Sequence, residues 1–158
     1  MILVRNHLKI LLLMVVLLIG CEKKFKEKPL SEKVDREAIA SILKVLDDND
    51  ASLERKLSIW VDDLVHMAPD NMAITTKAAL RKYLQEQATY GYSELSHQIV
   101  EVFPYQDIVL MRGKVEGIFY PSNKGVPFPF ETKNLFVFRR MENTSLKIWK
   151  VIFNSAPQ

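Results

Sequence analysis

Beyond Gly91 the chain alternates long runs rich in Val, Ile, Phe and Tyr with short polar turns, and this alternation constrains the fold more than any other feature. The runs cover residues 92–103, 107–120, 128–140 and 146–154, and the turns fall at 104–106, 121–125 and 142–145. Val, Ile and aromatic side chains suit a pleated, half-buried surface, and connections this short join neighbouring antiparallel strands. The second half is therefore expected to form an antiparallel meander. Strands of this length predict a long, curved sheet, with Gly113 and Gly117 marking bends or close approaches of another group.

Before Gly91 the apolar period changes from two to about 3.6. In SEKVDREAIASILKVLDDND (residues 31–50), Val34, Ala38, Ile42, Val45 and Leu46 share one helical face. Ser31 is placed to cap this helix, and the acidic run 47–50 ends it. Leu53, Leu57 and Trp60 predict a second, short helix, and residues 64–67 a brief extended piece stopped by Pro69-Asp70-Asn71. A third helix follows, capped by Thr75 or Thr76, striped by Leu80, Tyr83, Leu84 and Ala88, and ended at Gly91. Helices first and strands after define one α+β domain over residues 31–158.

The first thirty residues obey different physics. Arg5 and Lys9 precede the unbroken apolar run 10–19, and Gly20 and Cys21 follow it. A run of about 10 residues spans only about 15 Å as a helix, against roughly 30 Å of hydrocarbon core, so it reads as a secretory signal over residues 1–20. Leu18-Ile19-Gly20-Cys21 resembles a bacterial lipobox, which implies cleavage before Cys21 and acylation of its sulfur. Lipid on that residue would hold the protein on a membrane, and residues 21–30 would form a charged tether. Glu22 resembles the sorting residue of outer-membrane lipoproteins, which implies the periplasmic side of the outer membrane in a two-membrane host. Cys21 is the one cysteine, so no intramolecular disulfide is possible. The chain's 22 basic residues against 19 acidic lose Arg5 and Lys9 with the signal, then four lysines and two glutamates with the tether. From Ser31 onward 16 basic residues face 17 acidic ones, and the basic balance gives no argument for nucleic acid.

Several short motifs run through the domain in a fixed order. Trp60-Val61-Asp62-Asp63 leads into the extended piece, Ala68-Pro69-Asp70-Asn71 follows, and Thr76-Lys77-Ala78-Ala79-Leu80-Arg81 opens the third helix. Val137-Phe138-Arg139-Arg140 and Ile148-Trp149-Lys150-Val151 lie in the last two strands. Over residues 31–155 this order resembles the nuclear-transport-factor-2-like superfamily, and within it the SnoaL-like bacterial branch. The resemblance implies a cone-shaped α+β fold, with about three N-terminal helices on a long curved antiparallel sheet and a pocket between. It also implies a homodimer through the outer sheet face, where Leu135 and Val137 would contribute. No single activity follows, because the fold hosts isomerases, cyclases, dehydratases, hydrolases and plain binding domains. Ketosteroid isomerases of this superfamily place an aspartate before the proline, where this chain has Ala68, and a tyrosine in the first helix, where residues 34–46 have none. Both the base and the oxyanion donor of that chemistry are missing. Asn154 stands where many SnoaL-like sequences carry an acid, and an amide cannot act as a carboxylate base.

The ligand-binding candidates are Trp60, His66, Tyr83, His97, Arg112, Phe136, Phe138 and Asn154. Strand alternation sets His97 with Leu95 and Ile99, where it is either a general base, an orienting group for a carbonyl, or a hydrogen-bonded wall residue. His66, beside Leu64, has the same readings. Asp62 and Asp63 would point to opposite sides of a strand, which favours a structural role. Arg112, Lys114 and Glu116 form a charged stripe opposite Met111, Gly113, Val115 and Gly117, either solvated or facing a second subunit. Phe136 and Phe138 share one face, and Trp149, Val151 and Phe153 another, forming either core or an aromatic-lined cavity. The histidines lack metal-ligand spacing, and no cofactor is implied. The expectation is an exported, membrane-anchored domain that binds a small apolar or carbonyl-containing molecule. The alternatives are a non-enzymatic dimerisation module of the cell envelope and a lyase or isomerase using His97.

Overall fold

The computed structural model describes residues 31–155. The signal segment, the tether and Cys21 lie outside the described residues. In chain order the elements are α1 (Glu32–Asp47), α2 (Leu53–Ser58), β1 (Trp60–Met67), α3 (Lys77–Tyr90), β2 (Gly91–Pro104), β3 (Ile108–Pro121), β4 (Phe128–Arg140) and β5 (Leu146–Ser155). Each helix starts where a hydroxyl can accept an orphan backbone N–H. Ser31 Oγ accepts from Val34 at 3.4 Å, Ser52 Oγ from Arg55 at 3.2 Å, and Thr76 Oγ1 from Ala79 at 3.2 Å.

The sheet order is β1-β5-β4-β3-β2. Strands β2 to β5 form the expected antiparallel meander, but β1 lies parallel to β5, with Trp60 opposite Ile148 and His66 opposite Val151. The sheet is therefore mixed, and Trp60 opens a strand instead of closing a helix. Asp62 and Asp63 interrupt the alternation, with a register shift between Trp60 and Val65, which makes this strand hard to read from sequence.

Extra residues bend the strands. One register shift lies between Ile99 and Glu101 in β2, where the Arg36 guanidinium donates to the Ile99 carbonyl at 3.3 Å. A second lies in the β4–β5 pair, where Val137 faces Lys150 but Phe138 faces Ile148. Trp149 is the extra residue there. It turns away from the face of Val151 and Phe153 and lies under the Arg139 guanidinium, 4.2 Å from its ring centroid. The expectation that Trp149 shares their face is corrected on this ground.

The helices cover one face of the sheet, and the core forms between them. Val102, Val109, Met111, Phe136, Phe138, Ile148 and Val151 from the strands meet Ile39, Leu43, Leu57, Leu64 and Leu80. The buried side of α1 differs from the expected one. Val34 is 61% exposed, and Asp35, Ile39, Ile42 and Leu43 turn inward. The cause is Arg140 of β4, whose two Nη atoms donate to the two carboxylate oxygens of Asp35 at 2.9 Å each. A buried carboxylate needs this partner, and the pair sets the rotation of the helix. Ala88 of α3 is also exposed, since that helix's inward stripe ends at Leu84. Gly117 permits a close approach: a Cβ there would lie 2.6 Å from the Phe130 ring and 2.7 Å from the Glu94 carbonyl.

Candidate functional site

The cross-strand register arranges the inner face in rows. One row runs from Val102 through Met111, Phe136 and Val151 to His66. The next sets Ile99, Gly113, Asn134 and Phe153 side by side, and the third His97, Val115, Thr132 and Ser155. Polar groups thus enter the apolar face at both sheet edges and in the middle.

His97 is held by the end of α1. Its Nδ1 lies 2.5 Å from Asp47 Oδ1, and its backbone N–H donates to Asp47 Oδ2 at 3.1 Å. A carboxylate only accepts, so Nδ1 carries a proton and donates to Asp47. The ring meets Phe136 edge-on at 6.0 Å. Nε2 makes no hydrogen bond among the described residues. Asp47 went unread at the sequence level because it is 50 positions away. One signal was present: an acid in the last turn of a helix opposes the dipole, and another task can place it there.

His66 occupies the opposite edge and is only 8% exposed. Its ring is enclosed by Tyr83 at 5.2 Å, Phe153 at 5.6 Å and Trp60 at 5.9 Å. Among the described residues, its Nδ1 is the one fully buried side-chain nitrogen or oxygen without a partner. Burial pushes its pKa down to about 4, because the imidazolium would lose its hydration. Burial likewise pushes the Tyr83 phenol up, so its hydroxyl keeps its proton at neutral pH.

Two polar residues of β4 complete the face. Thr132 Oγ1 donates to Asn134 Oδ1 at 2.8 Å, and both residues are buried. The Asn134 amide nitrogen has no partner among the described residues. These residues were legible, since Thr132, Asn134, Phe136 and Phe138 alternate and must share a face.

Among the expected site residues, Trp60, His66 and Tyr83 cluster at the β1 edge, while His97 at the β2 edge meets Phe136, a buried core residue. Phe138 is fully buried beneath Phe136, stacked at 5.7 Å, and belongs to the core. Arg112 and Asn154 do not reach the site. Arg112 lies on the outer face and donates to Glu101 at 2.7 Å, and Asn154, exposed, pairs in register with Lys133 on that same face. Asp62 and Asp63 bind Lys77 at 2.9 Å and Arg139 at 2.7 Å, consistent with a structural role. Among the described residues, no three His, Cys, Asp or Glu side chains gather as metal ligands.

This architecture recurs among solved structures. A ketosteroid isomerase-like protein from Erwinia carotovora atroseptica superposes with a TM-score of 0.70 at 24% identity, covering 85% of this chain and 100% of that one. An NTF2-like protein from Salmonella enterica superposes at 0.65 with 10% identity, covering 80% and 92%. The fold is that of the nuclear-transport-factor-2-like superfamily. A candidate scytalone dehydratase from Novosphingobium aromaticivorans shares it at 0.65 and 17% identity, covering 78% and 85%. No family model matches the sequence, and no curated protein does.

Proposed function

We propose that this domain binds a small, flat, largely apolar carbonyl compound on the helix-covered face and moves a proton on it through His97. The observation that carries the reading is the Asp47–His97 pair: a carboxylate fixes Nδ1 and leaves Nε2 facing the aromatic interior. That is how an imidazole is prepared as a general base. Nε2 would take a proton from the carbon beside the carbonyl, the C–H electron pair would form a C=C bond, and the oxygen would become an enolate. Returning the proton elsewhere isomerises the compound, and loss of a β-hydroxyl, protonated by the imidazolium, dehydrates it. Fold neighbours described as isomerase-like and as a candidate dehydratase fit this class.

The test is deuterium uptake at the α-carbon of α-tetralone in heavy water, followed by NMR with the full chain in detergent micelles. His97→Gln and Asp47→Asn should each slow uptake, the former by about a hundredfold. Equal uptake by wild type and His97→Gln would refute the role.

The same reading places the domain outside the cytoplasm, held by lipid on Cys21 at the periplasmic side of an outer membrane where one exists. Copies would pair through the outer sheet face, where Leu135 is 43% and Ile152 41% exposed side by side. This face is also what supports the alternative reading as an envelope dimerisation module.

A further inference from the structure

We propose that the end of the domain where α1 begins rests on the lipid headgroups of the membrane, through Val34, Phe103 and Tyr105. The inference rests on the reading of Cys21 as a lipid-bearing anchor and adds to it which surface of the domain meets the bilayer.

One guanidinium gathers this end. Arg140 donates through its two Nη atoms to Asp35 at 2.9 Å each, and through Nε to the Gln106 carbonyl at 3.2 Å. The first turn of α1 and the β2–β3 turn therefore meet at a single side chain. Val34 precedes Asp35 and Tyr105 precedes Gln106, and both face solvent, as does Phe103 two residues earlier. The turn is braced: the Tyr105 N–H donates to the Ile108 carbonyl at 2.8 Å, and the Arg140 N–H to the Asp107 carbonyl at 2.9 Å.

The segment that would carry the lipid joins the domain at this same end. Residues 22–30 link Cys21 to Ser31, the cap of α1. However that segment runs, it spans at most about 35 Å. With acyl chains on Cys21 in the bilayer, the start of α1 would stay within that reach of the surface. Tethering raises the effective concentration of a surface patch so far that one too small to bind alone suffices. The opposite end also exposes apolar groups, Val126 and Phe128. It lies the length of β3 away, about 40 Å for a 14-residue strand. Helix α1 points from the first end toward the second, since Asp35 meets Arg140 and Asp47 meets His97.

The side chains suit a headgroup layer. Val34 and Phe103 offer apolar area, and a tyrosine can sink its ring while its hydroxyl stays among water and phosphate. Glu32 is paired with Arg36 at 3.2 Å, and Lys33 stands against Asp107 and Glu142, so this end carries little net charge. Attraction to anionic headgroups would come from the four lysines of residues 22–30.

The test uses the full lipid-bearing chain, its lipid confirmed by intact mass, in vesicles of phosphatidylethanolamine and phosphatidylglycerol. A fluorophore is attached at Gln106→Cys or, at the far end, at Asn123→Cys, the Cys21 sulfur being blocked by its lipid. Lipids with a nitroxide just below the headgroup should quench the label at 106 and leave the label at 123 bright. Adding Phe103→Ser and Tyr105→Ser should cut the quenching at 106 about threefold, and Val34→Ser, on the other element, should lower it too. No quenching at 106, or equal quenching at both sites, overturns the contact while the anchor stands. Undiminished quenching in the serine variants overturns it as well, because the tether alone would then hold the label near the surface. A chain without the lipid mass refutes the anchor reading, and this contact falls with it.

Discussion

Replacing His66 with Phe should flatten the acid side of the stability profile. In the folded chain burial delays protonation of this imidazole to about pH 4, whereas an exposed histidine in the unfolded chain titrates near 6.5. The unfolded state therefore takes up the proton first. The contribution is whole above about pH 6.5, falls as the pH drops toward 4, and changes no further below that. The gap between 6.5 and about 4, at about 1.36 kcal/mol per unit, comes to about 3 kcal/mol. Solvent screening takes little from it, since the residue is only 8% exposed. Phe fits an enclosure already made of rings and cannot titrate. Asp62, Asp63, Glu54 and Glu101 have carboxyls held below their usual range by Lys77, Arg139, Arg81 and Arg112. Their losses begin only around pH 4.5, run lower, and are common to both chains. The assay is urea denaturation followed by far-UV circular dichroism, near pH 7 and again near pH 4.5. Wild type should lose about 2–3 kcal/mol more than His66→Phe across that interval. Equal losses would mean that His66 is hydrated in the folded state, and the reasoning from its burial would fail.

Other perturbations test the frame around the site. Asp35→Ala should cost about 3 kcal/mol in urea denaturation, because Arg140 loses the buried carboxylate that both its Nη atoms grip, and adding Arg140→Met should recover part of that loss. Gly91→Ala should cost at least about 2 kcal/mol by the same measurement, since its Cβ would lie 2.2 Å from the Tyr120 carbonyl oxygen at a φ of 155°. Leu135→Glu should change folding stability by no more than about 0.5 kcal/mol yet abolish self-association in sedimentation, and a variant that sediments like wild type would count against pairing through this face. Cys21→Ala should move the protein from the membrane fraction to the soluble one, with loss of the lipid mass from the intact protein.

Local rules carried the sequence reading a long way and stopped at long-range pairing. Ser31 and Thr76 cap the helices they were expected to cap, and the four later strands lie close to their expected places, because caps and alternation act over a few residues. The rotation of α1 was illegible because Asp35 turns inward to an arginine 105 positions away. The face of Trp149 depends on its being the one extra residue in β5, which takes it out of the alternation that Val151 and Phe153 keep. His97 was legible as an inward residue but its pairing with Asp47 was not, since that partner ends a helix 50 positions earlier.

The motifs that carried the resemblance explain why fold was easier to read than function. Asp62 of Trp60-Val61-Asp62-Asp63 meets Lys77, which opens α3, and Asp63 meets Arg139 of the paired arginines. Arg139 in turn covers Trp149, whose indole N–H reaches Asp63. Arg140, its neighbour, ties β4 to α1 through Asp35. These residues fasten helices and the β1–β5–β4 edge to one another, and the salt-bridged carboxylates of the β1 motif face solvent rather than the inner face. The groups suited to chemistry sit elsewhere: His97 at the far edge, its carboxylate on the last residue of α1, and Asn134 midway across the sheet. A chain can therefore keep every fastening while exchanging every inward polar group. That is why the absent aspartate at Ala68 and the absent helix-one tyrosine argue only against one isomerase chemistry. The proposed role of the Asp47–His97 pair draws its base from a different element, on a frame whose fastenings do not depend on it.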